Sequence, residues 1–164
     1  MKTLQNCITK KILINKNSKI AYNYHPKTKD KLKYIINKRI KSEGNECNLN
    51  YIDTSYITDM SNLFAYSNFN GDISSWNVSN VKNMRGAFYC SKFNGDISNW
   101  DVSNVKNMKY IFKFSIFNND ISNWNVSNVT FKLDMFQNCP IEKNINQSFK
   151  NENIAKLYNR KDTY

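Results

Sequence analysis

One stretch occurs three times with small changes: FNGDISSWNVSNVKNM at residues 69–84, FNGDISNWDVSNVKNM at residues 93–108, and FNNDISNWNVSNVT at residues 117–130. Equivalent positions lie 24 residues apart in the chain. A fixed period of roughly 20–50 residues is typical of proteins in which each repeat packs against its neighbours. Residues 49–64 fit as a diverged first unit, so the sequence predicts a repeat region over residues 49–139.

The apolar residues inside one unit change their spacing along it. Trp76 and Val78 alternate with polar residues, as in a short strand, and Asn77 is expected to point outward. The pattern predicts an α/β fold, a solenoid of 24-residue strand-turn-helix coils. The apolar residues after the strand recur three and four apart, the spacing of one face of a helix, and they are Val81, Met84, Ala87 and Phe88.

The two ends of the chain differ from the repeats and are expected to cap them. Residues 1–24 suggest an N-terminal β-hairpin, because short apolar runs flank a turn-forming stretch. Residues 25–48 predict a basic amphipathic helix that is capped by Thr28 and stopped by Gly44. Residues 140–164 predict a C-terminal cap with a short helix. The apolar stripe that would cover the first coil consists of Leu32, Ile35, Ile36 and Ile40.

The net charge of +11 is concentrated in the N-terminal third of the 164-residue chain. Residues 1–48 carry twelve basic and three acidic residues, whereas residues 49–139 carry seven of each. Clustered positive charge favours non-specific binding to nucleic acid or to an anionic surface. A solvated helix face is the alternative interpretation. The candidate polyanion-binding residues are Lys29, Lys31, Lys33, Lys38, Arg39 and Lys41.

The unit FNGDISxWxVSNVKNMxxxF resembles the surface-protein repeat of bacterial BspA-like leucine-rich proteins, which is also found in mycoplasmal and spirochaetal proteins. The stretch HPKTKDKLKYIINKRI, followed by LNYIDTSYITDMSNLF, resembles the leader that often precedes such repeats. The resemblance covers residues 25–139. It implies a leucine-rich-repeat-like solenoid and, for many members, an adhesive role at the cell surface. The predicted hairpin and helix would form the N-terminal cap of that solenoid.

Patterns for catalysis and cofactor binding are missing from the sequence. His25 is the one histidine, and no serine or cysteine stands in a nucleophile motif. Glycine-rich phosphate-binding loops are missing as well, so we expect no cofactor and no enzymatic activity. The four cysteines form no C-x-x-C pair, which disfavours a zinc site, and they are Cys7, Cys47, Cys90 and Cys139. Apolar neighbours favour a buried free thiol at Cys90 and Cys139.

One aspartate occurs at the same place in each unit, and stacking would put these carboxylates about 5 Å apart. Such a column has two interpretations: the carboxylates hold Ca²⁺ between rungs, or each accepts hydrogen bonds from the backbone of its own turn. One carboxylate per unit is few for a calcium site, so we expect the second and predict no metal. The residues are Asp72, Asp96 and Asp120.

Two further columns concern binding surfaces. The tryptophans Trp76, Trp100 and Trp124 point the same way as inward-facing valines, which predicts burial rather than stacking on a carbohydrate. Polar residues on the predicted outward strand face form a column of rungs on which a protein partner would bind. A solvated ladder that merely keeps the protein in solution is the alternative. These rungs are Ser75, Asn77, Asn99, Asp101, Asn123 and Asn125.

Together the patterns favour a non-enzymatic repeat scaffold for protein–protein interaction, with adhesion at a cell surface as the role implied by the resemblance. The expected partner is a protein of unspecified identity, and open ends of the stack permit end-to-end self-association. The alternative is a nucleic-acid-binding accessory protein that uses the basic helix. Residues 1–24 hold no stretch of signal-peptide length, and no run is long enough to span a membrane, so the default expectation is a cytoplasmic location.

Overall fold

A helix forms near the N-terminal end of the described chain, where the sequence predicts it. The computed structural model describes residues 22–143, and its helix α1 spans Lys29–Glu43. The Thr28 side chain accepts a hydrogen bond from the backbone N–H of Lys31, and the Gly44 N–H closes the last turn. These contacts satisfy backbone groups that a helix leaves unpaired at its ends. The helix is therefore confirmed, and its buried residues are Leu32, Ile35 and Ile36.

The repeat units do not have the predicted strand-turn-helix architecture. Within residues 22–143, regular structure is limited to α1, to helical residues 141–143 and to five isolated parallel β-bridges, with no sheet. The predicted α/β fold, a leucine-rich-repeat-like solenoid of strand-turn-helix coils, is therefore wrong. Each unit is built from turns and irregular extended chain instead, and residues 76–78 are not a strand.

Two successive β-turns occupy the place of the predicted helix in each unit. In the second unit the Ala87 N–H donates to the Met84 carbonyl, and the Ser91 N–H donates to the Phe88 carbonyl. In this unit the first and fourth residues of each turn are buried. Of the residues between them, Arg85 is exposed, Tyr89 and Cys90 are half-buried, and Gly86 is buried. Successive turns of this kind repeat inward positions three and four apart, as an amphipathic helix does. The apolar residues do point inward at the predicted spacing, but successive turns produce that spacing rather than a helix.

Both turns of a unit place their third residue in the left-handed region of backbone conformation. In the second unit these residues are Gly86, with a φ of 61°, and Cys90, with a φ of 51°. A positive φ at the third position is the requirement of a type II turn, and glycine adopts it at least cost. The turn geometry is thus shared by all units, whichever residue stands there. The equivalent residues are Asn62, Tyr66, Tyr110, Phe114, Asp134 and Asn138.

Backbone hydrogen bonds join the turns of one unit to those of the next. Along each stretch of turns the backbone N–H groups alternate: one donates to a carbonyl of its own unit, and the following one donates to a carbonyl of the next unit. Tyr89 donates to the Gly86 carbonyl of its own unit at 3.0 Å, for example, whereas Phe88 donates to the Ile111 carbonyl of the next unit at 2.9 Å. One unit therefore leaves half of these N–H groups unpaired unless a neighbour lies beside it. The stretches, named turn segments below, are residues 58–67, 82–91, 106–115 and 130–139.

Aromatic rings stack in rows through the core. The Phe88 ring stacks on Phe64, with 5.5 Å between ring centroids, and on Phe112, with 5.3 Å. A second row contains Trp76 and Trp100, whose rings are nearly parallel and 6.4 Å apart. Such contacts add to the free energy of burying each ring. All three tryptophans are at most 5% exposed, which confirms the predicted burial.

Side chains also form hydrogen bonds from unit to unit. The Trp100 indole N–H donates to the Ile73 carbonyl at 3.2 Å, and the other two tryptophans make the equivalent bond. A column of asparagines adds a ladder, in which Asn104 Nδ2 donates to the Ser79 carbonyl at 2.8 Å. The same bond recurs one unit earlier and one unit later. The repeated tryptophans and asparagines therefore join each unit to the preceding one, through hydrogen bonds from their side chains to backbone carbonyls.

Helix α1 packs beside the first turn segment. Lys29 Nζ donates to the Ser61 hydroxyl at 2.9 Å and lies 3.2 Å from the Asp59 carboxylate. Lys33 Nζ donates to the Asn62 backbone carbonyl at 3.3 Å. Within residues 22–143 no earlier unit lies beside that segment, so α1 supplies polar partners that a preceding unit would otherwise provide.

Two predicted elements lie outside the described residues: almost all of the β-hairpin in residues 1–24, and the short helix of the C-terminal cap after residue 143. No helix within residues 22–143 combines the length and the hydrophobicity needed to cross a membrane.

The asparagine ladder is expected to contribute measurably to stability. Asn104→Ala removes the hydrogen bond to the Ser79 carbonyl and should lower the free energy of unfolding by about 1 kcal/mol in urea titration. The matched control is Asn99→Ala, an exposed asparagine outside the ladder, which should change it by less than about 0.5 kcal/mol. Equal losses in the two variants would show that the ladder adds nothing beyond an ordinary surface residue.

Candidate functional site

The outward residues of the turn segments form one continuous surface, named the turn face. In the first three units it consists of the two central residues of each turn, because the flanking residues point into the core. Adjacent segments lie side by side, so residues 24 apart in sequence become neighbours. The turn face comprises Ser61, Asn62, Ala65, Tyr66, Arg85, Gly86, Tyr89, Cys90, Lys109, Tyr110, Lys113 and Phe114.

Sequence differences between units mark the turn face. The turns read MSNLFAYS at residues 60–67, MRGAFYCS at residues 84–91 and MKYIFKFS at residues 108–115. The first Met and the fifth Phe are identical in all three units and are buried. The central turn residues differ from one unit to the next. A search for residues that repeat from unit to unit therefore misses this surface. For that reason the turn-face residues were not among the predicted site residues.

Charge is divided unevenly between the turn segments and the rest of the repeat region. The four turn segments carry six basic and two acidic residues. The remainder of residues 49–139 carries one basic and five acidic residues. The repeat region is neutral in total, yet its turn segments form a basic side, and such asymmetry attracts anionic groups locally.

A groove of about 530 Å³ crosses the turn face. Gly86 lines it between Asn62 and Tyr110, which are the equivalent residues of the two adjoining units. A Cβ atom on Gly86 would lie 2.4 Å from Asn62 Oδ1, so the Asn62 side chain lies against the glycine backbone and would have to move for a larger residue. At this point the groove is therefore lined by backbone and by the Asn62 side chain. Its other lining residues are Lys33, Ala65, Tyr66, Arg85, Tyr89 and Lys113.

Three cations line the groove, and they differ in how their charge is compensated. Lys113 Nζ lies 2.8 Å from the Asp134 carboxylate, so its charge is paired within the protein. Lys33 donates to the Asn62 carbonyl, which positions its ammonium group without neutralising it. Arg85 makes no ion pair with any residue in the range 22–143. Two positive charges at the groove thus lack a compensating carboxylate in the described part of the chain.

Tyrosines form the walls between these cations. Tyr66 and Tyr89 meet edge to face, with 5.3 Å between ring centroids. The Tyr110 ring lies under the Arg85 guanidinium at 5.7 Å and under Lys113 Nζ at 5.2 Å. Partial desolvation, and then the neighbouring Tyr66 hydroxyl, raise the pKa of Tyr89, so its phenol stays neutral and can donate a hydrogen bond. The walls therefore offer both apolar area and hydroxyl groups.

Several aromatic residues of the turn face occupy left-handed backbone positions. Tyr66, Tyr110 and Phe114 have φ values of 59°, 61° and 59°. Such a conformation costs a residue with a Cβ atom about 1–2 kcal/mol. Tyr66 is 74% exposed and Phe114 is 46% exposed, so burial offsets little of that cost. The fold requires the left-handed conformation at these positions but not an aromatic residue, because Gly86 occupies one of them. The presence of exposed aromatic residues there points to a function for these side chains.

The predicted polar rungs form an exposed column outside the turn segments. Asn77, Asp101 and Asn125 each accept a hydrogen bond, at 3.1–3.2 Å, from the backbone N–H two residues later. Their side-chain oxygens thus complete local turns, and in Asp101 the hydrogen bonds from Ser103 lower the pKa. The outward direction of Asn77 agrees with the prediction, and the binding role of the column stays a prediction. The neighbouring rungs Ser75, Asn99 and Asn123 are exposed as well.

The aspartate column bonds to its own turns, as predicted. Asp72, Asp96 and Asp120 accept the backbone N–H of the serine two residues later at 3.0, 2.9 and 2.7 Å. That backbone bond is the main cause that lowers the pKa of Asp96. Burial alone would raise the pKa of Asp72, but hydrogen bonds from Ser74 outweigh it and the pKa falls. Across residues 22–143, no three acidic, histidine or cysteine side chains converge on a metal position.

The basic residues of α1 do not act as one array. Lys29 pairs with Asp59, and Arg39 pairs with Glu43 in the next turn of the helix. Lys33 belongs to the groove instead. The remaining predicted polyanion-binding residues are exposed on the helix, and they are Lys31, Lys38 and Lys41.

The residues considered for chemistry have structural contacts. His25 Nδ1 lies 3.0 Å from Asp53 Oδ2, and neither residue lines the groove. Cys47, Cys90 and Cys139 form no disulfide with one another; Cys139 is buried as predicted, whereas Cys90 is only half-buried. Burial raises the pKa of Cys139, so its thiol stays protonated.

A protein-family model described as "Mycoplasma protein of unknown function, DUF285" matches residues 31–151. The match includes most of α1 and all four turn segments, and it covers well over half of the chain. No curated protein and no solved structure matches the chain.

Relief of backbone strain should make one aromatic substitution harmless to the fold. Tyr66→Gly removes an exposed ring and frees a left-handed residue, so the free energy of unfolding should stay equal or rise by about 1 kcal/mol. Phe131→Gly is the control, because Phe131 is 53% exposed but lies in an extended β-bridge. That variant should lose about 0.5–1 kcal/mol in the same urea titration. A loss for Tyr66→Gly as large as the control's would contradict a strained Tyr66.

Acid should destabilise the protein through the aspartates of the local turns. The pKa values of Asp72, Asp96 and Asp101 are lower in the folded chain, so their stabilisation is present above the unfolded pKa of about 3.9 and is lost as pH falls through the folded values. The triple Asp→Asn variant keeps the oxygen acceptors, as Asn77 shows naturally. Its unfolding free energy should therefore change less than that of the wild type between about pH 6 and pH 3. Identical changes would place the acid sensitivity elsewhere.

Proposed function

We propose that this chain, which belongs to the Mycoplasma family DUF285, is a non-enzymatic scaffold that binds a protein partner through its turn face. The observation that carries the proposal is a groove lined by tyrosines and cations, on a surface whose residues vary while the core beneath repeats. Variation above a constant core is what recognition of one particular partner requires.

The chemistry of the groove fits protein recognition. Tyrosine and arginine dominate the energetically important positions of protein interfaces, because they combine large contact area with directed polar groups. The groove supplies Tyr66, Tyr89 and Tyr110 around Arg85. Its walls are held by backbone hydrogen bonds between units, so a partner would meet a preorganised surface.

The groove lacks several side-chain types that are common in catalytic sites, which also suits a binding role. Its lining contains no carboxylate, histidine, serine or cysteine side chain. General acid–base and nucleophilic catalysis depend chiefly on those groups. His25 and Asp53, the pair with most resemblance to catalytic residues, lie outside the groove. We therefore propose recognition without turnover.

The cell surface is the location that we propose for this recognition. The support is the resemblance of the 24-residue unit to the surface-protein repeat of BspA-like proteins, together with membership of a mycoplasmal family. Adhesion to another cell is the corresponding role. Protease treatment of intact source cells should remove the protein while sparing a cytosolic marker, and complete protection would refute a surface role.

The polar rungs are a second candidate surface for the same function. They are exposed and regularly spaced, but their oxygens already serve local turns, and the rungs are nearly identical from unit to unit. Near-identical rungs offer a partner little that is specific. We therefore place the partner on the turn face and use the rungs as the internal comparison in the test.

Nucleic-acid binding through α1 is the alternative function. It has the support of three exposed lysines, Lys31, Lys38 and Lys41, which form no ion pair with other residues in the range 22–143. Binding of this kind weakens steeply as salt rises, because counterions are released from the strand. Reversal of the three lysines to Glu should abolish it without touching the groove.

Capture of surface proteins with matched variants tests the proposed function. The immobilised full chain should retain at least one protein from nuclease-treated host-cell membranes, and that protein, once purified, should bind again. Arg85→Glu with Tyr110→Gly should lose it, because both residues line the groove. Asn77→Ala with Asn125→Ala should retain it. Loss only in the second pair would move the site to the polar rungs, and retention by all variants would refute a role for either surface.

A further inference from the structure

We infer that the groove takes an acidic peptide segment of the partner, with a carboxylate at Arg85 and Lys33 and an apolar side chain against Tyr110. The inference rests on the proposed function, because it specifies the ligand of the same surface. It follows from the charges of the groove and from the tyrosines that line it.

The charge of the groove sets how many anionic groups it accepts. Asp134 already compensates Lys113, whereas Arg85 and Lys33 have no carboxylate partner in the described part of the chain. A guanidinium binds a carboxylate through two parallel hydrogen bonds, and a nearby ammonium group adds a third donor. One or two carboxylates on a short segment therefore complement this site, and a neutral segment would leave both charges unpaired.

A nucleic-acid strand fits the groove less well than a peptide does. Strands bind through many phosphate contacts and through bases that stack on open aromatic faces. Tyr66 and Tyr89 are engaged edge to face with each other, which leaves little open ring face on which bases could stack. The groove offers only two uncompensated positive charges and few open ring faces. It therefore favours a peptide, which carries fewer negative charges than a nucleic-acid strand and has side chains that can pack in the groove.

The chain's own ends do not supply the ligand. Residues 1–21 carry five lysines and no acidic residue, and residues 144–164 carry four basic and two acidic residues. Neither end complements two cations, because like charges repel. An acidic segment of another protein complements the groove better than either of these two stretches does.

The tyrosine-lined groove has room for an apolar side chain of the partner. Its volume is about 530 Å³, and Tyr66, Tyr89 and Tyr110 supply apolar area around it. Tyr110 keeps a left-handed backbone position, although the equivalent residue of the preceding unit is glycine. The fold thus tolerates glycine at this column, and a tyrosine retained there at a conformational cost is explained by contact with a ligand.

A random-peptide phage library selected on the immobilised full chain tests the inference. The selected peptides should carry at least two Asp or Glu residues beside an aromatic or aliphatic residue. A fluorescein-labelled peptide of the consensus should bind in fluorescence anisotropy. Its analogue with Asn and Gln in place of the acids should bind about tenfold more weakly. A labelled oligothymidylate serves as the nucleic-acid probe.

Three variants locate the binding site. Arg85→Glu and Tyr110→Gly should each weaken the consensus peptide by about tenfold or more, with unfolding midpoints no lower than that of the wild type for Tyr110→Gly. Lys106→Glu is the matched control, because it reverses an exposed cation of a turn segment that does not line the groove. It should leave the affinity within about twofold.

Four outcomes would overturn the inference. Selected peptides without acidic residues that still depend on Arg85 and Tyr110 would refute the acidic ligand while leaving the scaffold function intact. Peptides that bind all variants equally would place the site elsewhere. Oligothymidylate binding that Arg85→Glu abolishes would assign the groove to nucleic acid. A folded chain that selects no peptide would refute the peptide ligand. If the same chain also captured no protein from the membranes, the scaffold function itself would be refuted.

Discussion

The alternation of backbone hydrogen bonds along the turn segments is the constraint on which the rest of the structure depends. One N–H closes a turn within its unit, and the next, as at Phe88, must find the carbonyl of the following unit. A buried N–H without a partner is costly, so units are stable only side by side and in a fixed register. The 24-residue step, the ring rows and the asparagine ladder all maintain that register.

The same constraint explains which parts of the fold could be predicted from the sequence. The period, the buried tryptophans, the aspartate turns and helix α1 follow from residue types and spacing, and Thr28 and Gly44 mark the ends of that helix. The predicted helix in each unit was wrong because two successive turns and one helix produce the same inward spacing. Spacing along a chain cannot show whether an N–H bonds to its own unit or to the next.

The candidate site was harder to predict for a related reason. Residues such as Tyr66, Arg85 and Tyr110 are far apart in sequence and meet only because the units lie beside each other. A search for identical columns favours the core and the polar rungs, since those are what the units share. The turn face carries the differences, and its residues line one groove only because the units lie side by side.

Backbone NMR of residues 84–91 tests the central structural claim most directly, because the turn face exists only if this stretch forms turns. Two turns predict left-handed chemical shifts at Gly86 and Cys90, together with nuclear Overhauser contacts between Phe88 and Ile111 in the next unit. An unbroken run of helical Cα shifts over residues 84–91, without contacts to the next unit, would contradict the account and remove the groove with it.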